Sequence, residues 1–294
     1  MSAAPEATAI AKVGIVAKPG APTAAGTARE LVRHLESRGQ VVLLEGHIAR
    51  ALGTNPAEPQ RIADEADLVV VLGGDGTLIH AAGILRASER EVPILGINLG
   101  SLGFMTEVPV ADLYAVVDAV LQGRYLVERR MRLAIEVLRG AEVVHAGEVV
   151  NDAVINKGAL ARIVDLEARI DGRRLTTYKA DGIIVSTPTG STAYSLSAAG
   201  PILMPTLEAM LVTPICPHSL SQRPVVLPAA SHVELELTSS NGEVFLTLDG
   251  QTGLPMQQGD IVRIHKSPRP MLLVKNPQID FFGLLRAKLR WGER

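Results

Sequence analysis

The sequence predicts an α/β plus all-β fold. A doubly wound α/β domain spans residues 1–127, a mostly antiparallel, β-sandwich-like domain spans 128–270, and residues 271–294 pack back on the first domain. Three observations carry that prediction. Up to about residue 127, short runs apolar on both faces alternate with amphipathic stretches, as parallel strands covered by helices must. From Glu128 onward a period-two alternation takes over, punctuated by Asn-Gly and Asp-Gly pairs. At 294 residues the chain is also about twice the usual domain length.

The elements follow in order. Val13 to Ala17 is a short β-rich run leading into a Gly/Pro/Thr loop. From Thr27 a helical stretch puts Leu31, Val32 and Leu35 on one face, with Gly39 as its stop. Val41 to Leu44, Leu68 to Leu72 and Pro93 to Asn98 read as buried strands, and residues 111–122 as a helix closed by Gly123. In the second half, residues 133–138, 163–170 and 233–238 alternate in whole or part. Asp171-Gly172, Asn241-Gly242 and Asp249-Gly250 supply the hairpin chemistry, because consecutive positive φ angles suit these pairs. Phe281 to Trp291 reads as a helix. With no long linker, repeat or low-complexity tract between them, the two domains are expected to share an extensive cleft.

Composition narrows the function classes. Hydrophobic residues make up 47% and aromatics only 3%, so Ala, Val, Leu and Ile must build the core. A charged fraction of 20% with net charge -2 excludes a disordered chain and argues against nucleic-acid binding, which needs clustered cations and stacking rings. The single cysteine, Cys216, excludes an intrachain disulfide or multi-cysteine metal knot and is expected to be a buried small hydrophobe. No apolar run reaches the roughly 20 residues of a membrane helix. The N-terminal segment lacks the basic start of a signal peptide. A soluble, cytoplasmic protein without a membrane partner is expected.

Three polar constellations carry the chemistry. A buried strand ends in Gly73-Gly74-Asp75-Gly76-Thr77, and a helix is expected from Leu78. Three glycines in four positions let backbone N–H groups approach an anion, and the helix N-terminus adds partial positive charge. Asp75 repels phosphate there unless it holds a cation or takes a proton from the substrate. The bland alternative is a tight turn with Asp75 as N-cap. There is no G-x-x-x-x-G-K-[ST], and Ile79 stands where G-x-G-x-x-G needs its third glycine, so neither a P-loop nor a dehydrogenase fingerprint is present. Residues 181–201 run from the strand Ile183–Val185 into Ser186, Thr187, Thr189, Gly190, Ser191, Thr192, Tyr194, Ser195 and Ser197. Such hydroxyl density suits a polyanion or ribose, with Tyr194 stacking on a base, or else a helix-capping surface loop. Asn151-Asp152 interrupts a β-rich run, as either a turn or a pair able to read a base edge and a ribose diol.

Taken together these segments resemble the NAD kinase family, and its bacterial members in particular. GGDGT at 73–77, the Asn-acid pair at 151–152, DGIIVSTPTGSTAYSLSAAGP at 181–201, TPICPHSLSQRPVVLP at 213–228 and LDGQ at 248–251 follow the family order from Val13 to about Phe282. Asp152 departs from the Glu of many relatives and shortens that reach by a methylene. The resemblance implies transfer of the ATP γ-phosphoryl to the 2′-hydroxyl of the adenosine ribose of NAD, giving NADP and ADP. It also implies a divalent metal ion (Mg²⁺) held mainly by the nucleotide phosphates, and a homo-oligomer, dimer or tetramer.

By the same resemblance Asp75 is the catalytic carboxylate, with Gly73, Gly74, Gly76 and Thr77 around the phosphates. Asn151 and Asp152 hold the adenosine moiety. Thr192, Ala193 and Tyr194 wall the adenine, Thr189, Ser195, Leu196 and Ser197 continue that segment, and Asp181 meets the nicotinamide riboside end. His80, Arg162, Lys179 and Gln251 match further ligand contacts, while Arg223 and His218 pin the loop before Val225. A GGDGT-type lipid or sugar kinase and a non-catalytic dinucleotide sensor are the alternatives.

Overall fold

The computed structural model describes residues 2–3, 9–158, 163–240 and 242–291. The chain divides into two compact units, Met1–Arg129 with Met271–Arg294, and Arg130–Pro270.

The first unit is built on an eight-stranded sheet. Lys12–Ala17 lies between Val41–Leu44 and Leu68–Gly73, and the sheet continues through Pro93–Asn98, Met271–Lys275 and Leu126–Arg130 to Ser2–Ala3, with the short strand Val108–Pro109 also pairing with Pro93–Asn98. Pairing is parallel from Val41–Leu44 to Met271–Lys275, with Ser2–Ala3 antiparallel to its neighbour. Leu68–Gly73 and Pro93–Asn98 are buried at every position, which explains their unbroken apolar sequence. The first helix is longer than expected, Pro22–Glu36, because Ala24 and Ala28 extend the buried stripe of Leu31 and Leu35 backwards. Gly39 ends that segment at φ 79. Gly46–Leu52 and Pro59–Glu65 add two short helices that periodicity did not show. A 3₁₀ turn, Val110–Asp112, leads into helix Leu113–Leu121, and Phe281–Leu289 closes the unit.

Strand order reverses beside Lys12–Ala17. The chain first adds Val41–Leu44 on one side, then crosses to add Leu68–Gly73 on the other. Open α/β sheets bind ligands at such a reversal, beyond the carboxyl ends of the strands. The glycine loop leaves the sheet at that point.

The second unit is two six-stranded antiparallel sheets. One runs Val225–Pro228, Ala209–Ile215, Gly182–Ser186, Asp152–Lys157, Val244–Leu248, Thr252–Met256; the other runs Arg173–Ala180, Val164–Ile170, Val233–Ser240, Ile261–Lys266, Leu133–Arg139, Glu142–Val149. Leu133, Ile135, Val164 and Leu235 from one sheet share a single core with Ile155, Ile183, Val212 and Leu246 from the other. Among the described residues this core is aliphatic apart from Tyr178 and the methionines Met131, Met210 and Met256, in keeping with the low aromatic content. Ile170 pairs with Arg173 across Asp171-Gly172, both at positive φ (50 and 74), the two-residue hairpin geometry. Asp249 and Gly250 (φ 51 and 66) close a second hairpin. Asn241, of the third pair, lies outside the described residues. Among the described residues no helix is long and apolar enough to cross a membrane.

Candidate active site

The glycine loop belongs to the first unit. Its helix is Asp75–Leu85, starting three residues earlier than expected, because the N–H groups of Thr77 and Leu78 already bond to Gly74 O. Gly74 is the N-cap, so Asp75 is not. At Gly73 a Cβ would come closer than 3.0 Å to Thr77, so the strand-to-helix corner itself demands glycine. Gly74 and Gly76 differ. An added Cβ there would meet nothing within 4 Å, and neither has a positive φ. The fold makes no demand for glycine at these two positions. What they leave is bare backbone at the positive end of an eleven-residue helix.

The Asp75 side chain turns to a neighbouring loop. Its Oδ2 accepts from Phe104 N at 2.7 Å, and its Oδ1 accepts from Met105 N, Thr106 N and Thr106 Oγ1, each at 3.0 Å. Gly103 is obligatory, since a Cβ there would come closer than 3.0 Å to Asp75 Oδ1. The buried Asn98 holds the loop's base, donating to Ser101 O and Thr106 Oγ1 and accepting from Gly100 N. A carboxylate offers about four lone-pair sites, so Oδ1 is saturated and Oδ2 retains acceptor capacity. Asp75 is thus locked in orientation with one oxygen open to a further donor.

The same loop is braced from the other end of the chain. Glu107, 2% exposed, pairs with Lys275. Lys288 Nζ donates to Leu102 O at 2.8 Å and sits 5.0 Å from the Phe104 ring centre, with the Phe281 ring tilted 46° against the same ring at 6.4 Å. Sequence reasoning missed this loop. Its one visible signal was Gly100 and Gly103 following the Pro93–Asn98 strand.

In the second unit the chain bends at Val150-Asn151 and enters the strand Asp152–Lys157, and this turn into the strand is gripped from two sides. Asp249 accepts from Val150 N, Asn151 N and Asp152 N at 2.9, 2.7 and 3.1 Å. Opposite, Thr187 N donates to Asn151 O at 2.9 Å and Thr187 Oγ1 to Val150 O. Gly190 packs on Asn151 so closely that a Cβ would come within 3.0 Å of its carbonyl oxygen. Asp152 is 5% exposed, and burial, with the Asp249 charge adding to it, pushes its carboxyl up to about 7. Ser186 stands across the strand pair from Asp152, fully buried, its hydroxyl without a hydrogen-bond partner among the described residues.

The hydroxyl-rich loop separates into two groups. Ser191 is buried, donating to Pro188 O and accepting from Leu203 N, and buried Ser195 bonds Thr213 Oγ1 at 2.9 Å. Thr189 is also buried, accepting from Arg130 at 3.3 Å. Thr192, Ala193 and Leu196 are half-buried, and Tyr194 and Ser197 are exposed. Asp181 lies beyond the other end of the Asp152–Ser186 strand pairing, five residues from Ser186 or roughly 16 Å. There it pairs with Lys157 at 3.3 Å. Lys179 is exposed beside Asp165 at 4.0 Å. Gln251 is exposed just past the Asp249 turn, and His80 is exposed on the Asp75–Leu85 helix. Arg162 lies outside the described residues. Cys216 is exposed at φ 45, not buried, because Ala209–Ile215 ends just before it and the chain turns out of the sheet. Arg223 donates to Leu220 O and Gln222 O, tying down the loop before Val225.

The first unit thus carries GGDGT at the reversal of its parallel sheet, and the second is an antiparallel sandwich. Residues 13–125 match the ATP-NAD kinase N-terminal domain and residues 150–276 the ATP-NAD kinase C-terminal domain. An NAD kinase of Geobacter metallireducens is 54% identical over 283 residues, covering 96% of this chain and 99% of the relative. One from Geotalea daltonii is 50% identical over 284 residues, with 96% and 99% covered. Yeast NADH kinase complexed with NADH superposes with a TM-score of 0.88 at 30% identity, covering 98% of this chain and 89% of that one. An NAD kinase from Archaeoglobus fulgidus in complex with ATP gives a TM-score of 0.75 at 25% identity, covering 95% and 98%. The chain belongs to the ATP-NAD kinase family.

Proposed function

We propose that the protein transfers the γ-phosphoryl of ATP to the 2′-hydroxyl of the adenosine ribose of NAD, releasing NADP and ADP. The observation that carries this reading is Asp75 at the start of the glycine-loop helix, its carboxylate oriented by four donors with Oδ2 still able to accept. Phosphoryl transfer calls for positioning and charge stabilisation more than covalent chemistry. Gly73, Gly74, Gly76 and Thr77 bring backbone donors to the phosphates. Asp75 takes the proton of the 2′-hydroxyl as that oxygen attacks the γ-phosphorus.

Asn151 and Asp152 hold the adenosine end, Thr192, Ala193 and Tyr194 flank the base, and Asp181 meets the nicotinamide riboside. The roughly 16 Å between Ser186, opposite Asp152, and Asp181 along the strand suits the two ends of an extended dinucleotide. His80, Lys179, Gln251 and Arg162 are secondary contacts, and the Thr189, Ser195, Leu196 and Ser197 segment shapes the wall. Mg²⁺ would be carried mainly on the triphosphate oxygens, as hard oxygen ligands suit it. Bound there, the ion neutralises phosphate charge. The protein acts in the cytoplasm as a dimer or tetramer.

The test is NADP formation from NAD and ATP with Mg²⁺. Asp75→Asn is expected to lower kcat about a hundredfold to ten-thousandfold, the usual span for a general base. A wild-type rate of zero with NAD, or full activity in Asp75→Asn, removes the reading.

A further inference from the structure

We propose that Asp249 is the positioning residue of the dinucleotide-binding turn, its carboxylate fixing the backbone from which Asn151 and Asp152 present their side chains. The proposal rests on the assignment of that turn to NAD made above.

Three successive N–H groups converge on this one side chain. Val150 N meets Oδ2 at 2.9 Å, while Asn151 N and Asp152 N share Oδ1 at 2.7 and 3.1 Å. The Asp249 N–H returns a bond to Asp152 O at 2.9 Å, so turn and hairpin hold each other in both directions. The Asp249-Gly250 hairpin does not itself need a carboxylate. Asn or Gly suits a left-handed residue as well or better. What Asn lacks is an acceptor at both terminal positions, because its amide nitrogen would face the Val150 N–H.

The charge also has a cost. It lies against Asp152, which is 5% exposed, and two neighbouring carboxylates repel. A device serving only the hairpin would avoid that repulsion. One serving the turn gains three charge-assisted bonds from it. Thr187 and Gly190 secure the turn's opposite side, leaving Asp249 as the anchor for its N–H groups.

The experiment uses the full chain with Asp249→Asn and Asp249→Gly, both of which keep the hairpin backbone. Each is expected to raise the KM for NAD about tenfold or more and to speed amide hydrogen exchange at residues 150–152 by a similar factor, leaving the KM for ATP within about twofold. A purely structural residue would shift both substrates together. Asn151→Ala is run alongside. An unchanged NAD KM in Asn151→Ala overturns the assignment of the turn to NAD, and the proposal with it. A raised value there, with NAD KM and exchange unchanged in both Asp249 variants, overturns the proposal alone.

Discussion

Asp152 shows how little a residue's identity says before its surroundings are known. The sequence offered a carboxylate beside an amide. The structure makes it a buried acid whose proton is held up to about 7, first by burial and then by Asp249, 97 positions away. The unfolded chain ionises this group near 3.9. Below that pH both states are protonated and the site costs nothing. As the pH rises, the unfolded chain gives up its proton first, and the penalty grows until it is complete above about 7. Asp152→Asn is therefore expected to melt about 5–10 °C above the wild type at pH 8, with the gap closing toward pH 4. Thermal unfolding across that range checks it, and a gap independent of pH would refute it. Burial and partner come from chain folding, so neither was legible in Asn151-Asp152 alone.

At the scale of elements, the buried strands at 13–17, 41–44, 68–72 and 93–98 and the glycine loop were legible, and the helix start was not. Apolar periodicity begins at Leu78, whereas the hydrogen bonding begins at Gly74, and pattern reports side chains, not backbone. Gly46–Leu52 and Pro59–Glu65, two turns each, are too short to impose a period. The loop holding Asp75 was missed because its donors are main-chain groups, which any sequence could supply. Two glycines separate the fold's needs from the site's. Gly103→Ala would push a Cβ into Asp75 Oδ1, and is expected to lower kcat about a hundredfold or more. Gly74→Ala meets open space, so its melting temperature should stay within about 2 °C of wild type while the KM for ATP rises several-fold. Steady-state kinetics with thermal melts on both variants test the pair, and equal loss of stability in the two would contradict it.

Across the whole molecule, composition and alternation anticipated the two kinds of sheet, and Phe281 onward was read as a returning helix. The strand Met271–Lys275 was not recognised, since four apolar residues and a lysine carry no sign of which sheet they join. It sits inside the first sheet, between Pro93–Asn98 and Leu126–Arg130. Lys275, 11% exposed, meets Glu107 from there. Lys275→Met removes the cation from beside a buried carboxylate, a change that costs roughly 3–5 kcal/mol. In a protein of this size it is expected to lower the melting temperature by on the order of 10 °C. Because Glu107 adjoins the loop that orients Asp75, activity at moderate temperature should fall as well. Calorimetry and kinetics on that variant decide both points.

That inserted strand also sets an order of events at the ribosome. While the sandwich is being translated, the α/β sheet has emerged but lacks an inner member, so Pro93–Asn98 and Leu126–Arg130 each expose an edge. The sandwich can close as soon as Pro270 clears the exit tunnel. The unit whose residues appear first is completed last, and a transcript broken before codon 275 yields a nascent chain with aggregation-prone edges where the finished protein has a continuous sheet.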